Sequence, residues 1–244
     1  FDDFMHAEAR LFWQVGMRPN DRYLHGMNFA LYVGGPCVVG AQELGALGIW
    51  VGAVPSDRLL WAMKHYQPTY MWSSPSYAWL LGQKAIEKGY NPPVDFASLK
   101  HIIISGEPGG SIPTTRKAIE DIWDASVYDF FGLSDIYGAC AGMCEVKDGL
   151  HIIEDQILVE VIDPVTCEVL PDGERGEIVY TTLMKHARPM IRFRSGDIGY
   201  VDRSTCECGR TSTRIHVLGR KDEMFIVSAV NVFPSDIEYI VRQD

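Results

Sequence analysis

The fold is decided by the stretch HIIISGEPGG at residues 101–110, where a short apolar run gives way to glycine and proline. His101-Ile102-Ile103-Ile104 has the length and the branched side chains of a buried strand. A loop follows over residues 105–110, and then a predicted helix, Ser111–Trp123, with Pro113 in its first turn. A buried strand that leads through a glycine-rich loop into a helix is the repeating unit of a parallel α/β sheet.

The same alternation of strands and helices extends towards the start of the chain. The predicted helices are 4–16, Ser56–His65 with Ser56 as its cap, and Ser76–Lys88. The predicted strands are Tyr23–Val33, which ends at Gly34-Gly35-Pro36, and Leu47–Val54, Tyr70–Trp72 and Ser126–Tyr128. This order predicts an α/β fold with a doubly wound, mostly parallel sheet.

Beyond residue 150 the pattern changes to β-rich segments without helices between them. The predicted strands are Ile157–Ile162, Gly176–Thr181 and Ile198–Val201, with a turn at Pro171-Asp172-Gly173. We therefore expect an antiparallel, barrel-like subdomain after the parallel sheet. The predicted division is an α/β part at 1–124, a motif-bearing and β-rich part at 125–218, and a hinge with the truncated start of a small domain at 219–244.

The bulk composition of the 244 residues excludes several classes of function. A formal net charge of −10 argues against partners such as nucleic acid or anionic membranes, which require a basic face. No apolar stretch approaches the roughly 20 residues of a membrane helix. Six unevenly spaced cysteines favour a reducing, cytoplasmic setting over a disulfide scaffold. The opening without Met, and a helical pattern that stops at Asp244, predict a piece of a longer protein.

Polar and aromatic residues follow the predicted strands where α/β proteins bind their ligands. Glycines at 106, 109 and 110 allow a ring or a phosphate to approach the loop backbone closely. In the run Tyr128–Asp135, Phe130 and Phe131 can stack on a purine, the Ser134 hydroxyl can donate to a phosphate, and Asp135 can bind Mg²⁺. The alternatives are a plain strand-to-helix turn in the loop, and a buried aromatic pair followed by a helix capped by Ser134.

Four segments in sequence order resemble the nucleotide signature of adenylate-forming enzymes: 105–108, 128–135, 193–197 and 219–222. The whole chain is similar to the phenylacetate–coenzyme A ligase branch of that superfamily. Further matching segments are Leu31–Gly35, Ser74–Tyr77 and Gly149–His151. The resemblance implies the large-domain fragment of an enzyme that uses ATP, Mg²⁺, a small carboxylic acid and coenzyme A. Dimers occur among the relatives, so a homodimer is compatible with it.

The resemblance also implies roles for individual residues. The nucleotide-binding set is Ser105, Gly106, Glu107, Pro108, Asp129, Phe130, Phe131, Gly132, Ser134, Asp197 and Arg220. Within it, Glu107 belongs to the adenine loop, Asp197 should accept from the ribose hydroxyls, and Arg220 should contact ribose or phosphate. The catalytic set is Ser134, Asp135 and Arg220, and Asp222 occupies the hinge position. For Asp197 the alternative is a structural Ser-Gly-Asp turn.

A flat, largely apolar slot is expected to hold the carboxylic acid. Its predicted walls are Tyr32, Gly34, Gly35, Tyr77 and Phe131. Aromatic walls beside two glycines suit an aryl or branched acid. The alternative is that these aromatic side chains belong to the hydrophobic core.

Four soft ligands on two turns predict a structural Zn²⁺ site, made by Cys144, His151, Cys206 and Cys208. The spacing of the Cys206-x-Cys208 pair is tighter than the usual Cys-x-x-Cys, and the resemblance adds support because members of the branch carry equivalent positions. The alternative is an ordinary buried thiol at Cys144 with free surface thiols at 206 and 208. Cys37, Cys140 and Cys167 are assigned to the core.

The chain departs from the family pattern in three places. Asp135 stands where Glu is usual, and Ala229 where relatives usually have a glycine beside the pantetheine tunnel. The family's phosphate-binding loop and adenylation lysine would lie before Phe1 and after Asp244, so we expect little activity from these residues alone. The predicted function is an AMP-forming acid–CoA ligase for an aryl acid such as phenylacetate. The alternatives are activation of a small branched or hydroxy acid, adenylation for another acceptor as in F420-adenylating synthetases, and an inactive zinc-stapled module.

Overall fold

The computed structural model describes residues 2–28, 34–227 and 230–242. The chain forms two compact units, Phe1–Ala139 and Cys140–Asp244. Within the described ranges, every helix is too short or too polar to cross a membrane. The division expected from the sequence at residues 124 and 218 stays a prediction.

The first unit is a parallel sheet with helices on both faces. Its strands are β1 (Arg22–His25), β2 (Leu47–Ile49), β3 (Tyr70–Ser73), β4 (His101–Ile104) and β5 (Ser126–Leu133). Its helices are α1 (Asp2–Gln14), α2 (Gly34–Glu43), α3 (Ser56–Tyr66), α4 (Pro75–Glu87), α5 (Pro92–Asp95) and α6 (Pro113–Trp123). The strand order is β2-β1-β3-β4-β5, and every pair in it is parallel. The predicted doubly wound sheet is confirmed.

Alternation along the strands builds two apolar layers. On one face, Leu24 and Met71 join residues of α3, α4 and α6 in a single buried cluster. On the other face, the Phe12 ring of α1 lies 5.0 Å from the Tyr23 ring and 5.8 Å from the Trp72 ring. Because successive side chains of a strand point to opposite faces, Tyr23 and Leu24 serve different layers. Covering both faces holds the strand ends, and therefore their loops, in fixed positions.

The predicted element boundaries near the N-terminus are wrong in detail. β1 ends at His25, although the apolar run predicted a strand up to Val33, and β2 ends at Ile49 rather than Val54. Gly34 begins helix α2, and Pro36 fits there because the first turn of a helix needs no backbone donor. The cap position of α3 is Pro55, and the Ser56 side chain makes no capping hydrogen bond.

Strand β5 is longer than the sequence predicted, and this changes the setting of the central motif. The strand continues to Leu133, so Tyr128–Gly132 are all strand residues. Ser134 and Asp135 lie in the tight turn that leads to β6 (Tyr137–Gly142), which carries the boundary between the units. The alternative of a helix capped by Ser134 is therefore wrong.

The second unit is antiparallel, as predicted. Its strands are β7 (Leu150–Ile152), β8 (Ile157–Ile162), β9 (Gly176–Thr182), β10 (Phe193–Asp202), β11 (Arg214–Arg220), β12 (Phe225–Val227) and β13 (Val230–Val232). The strand order in this part of the sheet is β7-β11-β10-β9-β8, so strands β8 to β11 form a meander. Strand β12 pairs with β13 in a separate two-stranded sheet. A final helix, α7 (Pro234–Val241), follows.

Candidate functional site

The loop after β4 is anchored by two of its side chains. The Ser105 hydroxyl accepts a hydrogen bond of 2.7 Å from the Trp72 indole N–H. The Glu107 carboxylate accepts from the Ser76 hydroxyl at 2.7 Å and from the Ser76 backbone N–H at 3.3 Å. Gly106 and Gly109 have φ values of +88° and +139°, which side chains rarely tolerate. The loop therefore has a defined shape, and its exposed edge carries Gly106, Glu107 and Pro108.

Asp129 supports this loop from beneath. Its buried carboxylate accepts a 2.7 Å hydrogen bond from the Ser111 hydroxyl. Gly110 lies so close that a Cβ there would overlap the carboxylate. Burial raises the pKa of Asp129 to about 7, against the lowering effects of the Ser111 hydrogen bond and of the Arg116 charge. Asp129 therefore positions the loop, whereas the sequence suggested direct contact with the nucleotide.

The two phenylalanines of the motif occupy different environments. Phe130 is 1% exposed, and its ring lies 5.3 Å from the Trp72 ring and 6.2 Å from the Phe12 ring in the hydrophobic core. Its assignment to purine stacking is corrected, because neighbouring rings already cover it. Phe131 is half-buried on the opposite face of β5, and its role in binding stays a prediction.

The turn after β5 presents the polar end of the motif. Ser134 is exposed and Asp135 is half-buried. Gly132 sits two residues before the turn, where a Cβ would overlap the carbonyl oxygen of Gly138. Glycine is therefore required for close packing here, and its role as a nucleotide contact stays a prediction, as do the roles of Ser134 and Asp135.

The predicted acid slot is described only in part. Tyr32 lies outside the described residues. Gly34 and Gly35 open helix α2, and no atom of the described residues lies within 4 Å of the position of a Cβ on Gly35. Tyr77 lies in the first turn of α4, with its hydroxyl 3.2 Å from that of Ser56. The slot itself stays a prediction.

Asp197 is the most unusual acidic residue of the second unit. It is 4% exposed, and within the described part of the chain its Oδ2 has no hydrogen-bond partner. The nearest cation is Arg220, with Nη1 at 3.8 Å from Oδ1. Burial raises the pKa of Asp197, although the Ser195 hydroxyl and Arg220 act in the opposite direction. A buried acceptor of this kind is suited to a ligand that brings its own hydroxyl donor.

Arg220 connects Asp197 with the predicted hinge residue. Its guanidinium donates to both carboxylate oxygens of Asp222, at 2.9 and 3.1 Å, and to the Ser195 carbonyl at 3.3 Å. The hydrogen bond from Arg220 holds the pKa of Asp222 below its usual range. The two hydrogen bonds to Asp222 fix the Arg220 guanidinium beside Asp197. The hinge role of Asp222 stays a prediction, and Ala229 lies outside the described residues.

The four predicted zinc ligands lie together in the second unit. The ligand atoms of Cys144, His151, Cys206 and Cys208 are all within 4.8 Å of one another. The Sγ atoms of Cys144 and Cys206 are 3.8 Å apart, and Cys208 Sγ is 3.5 Å from His151 Nε2. A tetrahedral Zn²⁺ with bonds of about 2.3 Å to sulfur and about 2.0 Å to nitrogen separates such atoms by about 3.8 and about 3.5 Å. The cluster therefore fits the metal.

Neighbouring groups orient the cluster for metal binding. His151 Nδ1 faces the hydroxyl and carbonyl oxygens of Ser212 at 3.0 and 3.3 Å, which places its proton on Nδ1 and leaves Nε2 free to bind metal. Burial raises the pKa of Cys144 to about 12, so this thiol needs a cation to become a thiolate. Burial also acts to raise the pKa of Cys208, but hydrogen bonds from Arg210 lower it.

Sequence reasoning missed the residues that support the predicted ones. Ser76 fixes Glu107, and Ser111 fixes Asp129. The signal for Ser76 was present, because it belongs to the matching segment Ser74–Tyr77. Glu8 was also missed: this fully buried acid accepts a hydrogen bond of 3.2 Å from the Ala139 N–H, and burial raises its pKa to about 8.

Comparisons with known proteins agree with this geometry. Residues 4–183 match the family described as AMP-binding enzyme. The phenylacetate–coenzyme A ligase of Thermus thermophilus is 33% identical over 242 residues, 98% of this chain and 54% of that protein. The enzyme of the same name from Pseudomonas putida is 35% identical over 94% of this chain and 52% of that protein.

The structural comparison points the same way. A crystal structure of a 2-hydroxyisobutyryl-CoA ligase, in the postadenylation state and in complex with 2-HIB-AMP, superposes with a TM-score of 0.92 at 34% identity. The match covers 99% of this chain and 52% of that one. The chain thus spans about half the length of the relatives it matches.

Proposed function

Because this chain belongs to the AMP-binding enzyme family, we propose that the whole protein is an AMP-forming acid–coenzyme A ligase. In the first half-reaction a carboxylate oxygen attacks the α-phosphorus of ATP, which gives an acyl adenylate and releases pyrophosphate. In the second, the coenzyme A thiol attacks the acyl carbon, and AMP leaves. The named relatives activate acids for coenzyme A, which supports this assignment.

The observation that carries the proposal is the buried, partly unpaired carboxylate of Asp197 beside Arg220. A buried acceptor without a donor destabilises a fold by about 1–3 kcal/mol. Two adjacent ribose hydroxyls would supply the missing donors. Arg220, fixed by Asp222, would then face the ribose or the α-phosphate. The pair thus has the chemistry expected of a nucleoside monophosphate site.

The first unit carries further candidates for nucleotide contacts. The loop edge at Gly106–Pro108 would lie along the adenine, with Phe131 as the remaining aromatic candidate for stacking. Ser134 would donate to the α-phosphate, and Asp135 would bind Mg²⁺, which neutralises charge as pyrophosphate leaves. The contribution of these groups is alignment and electrostatic stabilisation, since the reaction requires no covalent intermediate on the protein.

Zinc would have a structural part in this protein. Three thiolates and one imidazole complete a tetrahedral site and leave no position for substrate. The cluster joins the segment around Cys144 and His151 to the turn at 206–208. When bound, the ion would hold these loops together and would take no part in acyl transfer.

The acid is proposed to be an aryl acid such as phenylacetate. This choice is supported by two relatives named phenylacetate–coenzyme A ligase and by the aromatic residues expected in the slot. A small branched or hydroxy acid is the second candidate, favoured by the similarity to a 2-hydroxyisobutyryl-CoA ligase. The side chains that would separate the two include Tyr32, which lies outside the described residues.

Carboxylate-dependent exchange of labelled pyrophosphate into ATP tests the first half-reaction in the whole protein. We expect exchange with phenylacetate or with a small hydroxy acid, and a loss of at least tenfold in Asp197→Ala. Asp172→Ala, an exposed turn substitution in the same unit, should leave the rate unchanged. Absence of exchange across a panel of aryl, branched and hydroxy acids would leave the inactive zinc-stapled module as the better account.

Product analysis by mass spectrometry then identifies the acceptor. A thioester that forms only when coenzyme A is present supports the ligase. An adenylated product that is indifferent to coenzyme A would favour the F420-type alternative.

A further inference from the structure

A cleft of about 570 Å³ lies between helices α3 and α4, apart from every group used above except Tyr77. It is bounded by the end of β1, by the loop into α3 and by one side of α4. Its polar side chains are those of Ser56, Asp57, Tyr77 and Lys84, and its apolar wall is formed by Gly26 and residues 53–55. The volume is that of a site for a small organic ligand.

Three polar groups converge inside the cleft. The Lys84 ammonium donates to the Ser56 hydroxyl at 3.3 Å, and the Ser56 hydroxyl lies 3.2 Å from the Tyr77 hydroxyl. Tyr77 and Lys84 are seven residues apart on α4, so they share one face of the helix. The ammonium and the two hydroxyls thus form a connected row of donors.

The acidic residue of the cleft does not neutralise the positive charge of Lys84. The acid on the cleft wall, Asp57, forms an ion pair of 3.0 Å with Lys88, one turn further along α4. Among the described residues, the polar contact recorded for the Lys84 ammonium is the Ser56 hydroxyl. A half-buried ammonium held by a neutral partner retains most of its attraction for an anion.

The start of α3 adds backbone donors to the same place. The first N–H groups of a helix have no acceptor within the helix. No side chain caps them here, because the cap residue is Pro55. These N–H groups belong to Ser56 and Asp57, which line the cleft, and the positive end of a helix favours an anion.

We propose that this cleft, defined by Ser56, Tyr77 and Lys84, binds the anionic group of a small organic ligand, either a carboxylate or a phosphate. Lys84 supplies the charge, Ser56 and Tyr77 supply hydroxyl donors, and the start of α3 supplies backbone donors. The apolar wall at 53–55 contacts the body of the ligand. Two ligands of the proposed ligase carry such groups, namely the acid and coenzyme A, but the site is argued from the cleft alone.

Calorimetric titration of the chain at low ionic strength tests the proposal directly. The probes are phenylacetate, inorganic phosphate and adenosine 3′,5′-bisphosphate, which represents the nucleotide end of coenzyme A. We expect at least one probe to bind, and Lys84→Met to weaken that binding tenfold or more, since it removes the charged donor of the cleft. Tyr77→Phe should weaken it less, because it removes one neutral donor.

Lys117→Met is the matched control. Lys117 is an exposed lysine on α6 that pairs with Asp121 at 2.7 Å, so the substitution changes net charge equally and leaves the cleft intact. Binding by this variant should equal that of the natural chain. If phenylacetate is the probe that binds, the site takes a carboxylate. If the two phosphate probes bind and phenylacetate does not, the site takes a phosphate.

Two results would overturn the site. One is the absence of binding for all three probes at millimolar concentration. The other is a Lys84→Met variant that binds the probe with the same affinity as the Lys117→Met variant. If Lys84→Met does not fold, the amide resonances of Ser56 and Asp57 in the natural chain decide, since a bound anion must shift them. Neither result depends on whether the protein forms acyl adenylates.

Discussion

At the scale of single residues, Asp129 shows how burial can turn a motif residue into a support. The residue lies within β5, opposite Ile104 at the end of β4, where parallel strands direct their loops. Its carboxylate accepts a hydrogen bond from the Ser111 hydroxyl and packs against Gly110. The shape of the 105–111 loop therefore depends on a group that the ligand need not contact.

The titration of Asp129 makes this support measurable. Its pKa of about 7, raised by burial, lies above the value of about 3.9 in an unfolded chain. The fold therefore holds the proton more tightly than the unfolded chain does, so stability falls as pH rises from about 4 to about 7. We expect Asp129→Asn to lack this fall, so its stability relative to the natural chain should rise by about 2–3 kcal/mol between pH 5 and pH 8.

Urea unfolding at the two pH values provides the measurement. Asp124→Asn is the control, because Asp124 is exposed and its φ of 50° suits asparagine equally well. This control should show no pH-dependent difference from the natural chain. An equal effect of Asp129→Asn at pH 5 and pH 8 would mean that the buried carboxylate does not titrate as described.

At the scale of elements, the tight approach of β5 and β6 depends on glycine. A Cβ at position 132 would overlap the Gly138 carbonyl oxygen, so the backbone must separate to accept it. We expect Gly132→Ala to lower the free energy of unfolding by about 3 kcal/mol. Chemical denaturation of the variant and of the natural chain measures this difference in the free energy of unfolding.

The control for this substitution is Gly35→Ala in helix α2. The added methyl group meets none of the residues that the structure describes within 4 Å, and alanine favours helix by about 0.5–1 kcal/mol over glycine. Its stability should be unchanged or raised. If both glycine variants were equally stable, close packing at Gly132 would not be the reason for its presence.

The elements also show what sequence alone can predict. Strand β4 and helix α6 were recognisable because a branched apolar run, glycines and an early proline act locally. The second half of β5 was missed, since Asp129 and Gly132 both have low strand propensity. With the strand ended at Tyr128, nothing indicated that Phe130 and Phe131 point to opposite faces. The assignment of Phe130 to the ligand failed for that reason.

At the scale of the whole molecule, the zinc cluster joins positions that sequence spacing could not bring together. Cys144 and Cys206 are 62 residues apart and have Sγ atoms 3.8 Å from each other. The pairing of β7 with β11 aligns the two turns, and that pairing is a long-range property of the sheet. Residue types predicted the ligands, but only the fold explains their distances.

Metal analysis and thermal unfolding test the structural role of the cluster. We expect about one zinc per chain, and for Cys144→Ser a loss of zinc with a melting temperature lower by about 10 °C, the equivalent of roughly 4 kcal/mol. Cys167 is exposed, so its assignment to the core was wrong, and it lies outside the cluster. Cys167→Ser should therefore leave the zinc content and the melting temperature unchanged. A metal-free chain with an unchanged melting temperature would contradict the ligand assignment.

The central claim is that Asp197 and Arg220 bind an adenosine phosphate. Titration of AMP into the ¹⁵N-labelled chain, followed through its amide resonances, tests it most directly. We predict that the amides of residues 195–197 and 219–222 shift together with a single dissociation constant. Unshifted amides in these two segments, or segments that titrate with different constants, would contradict the claim.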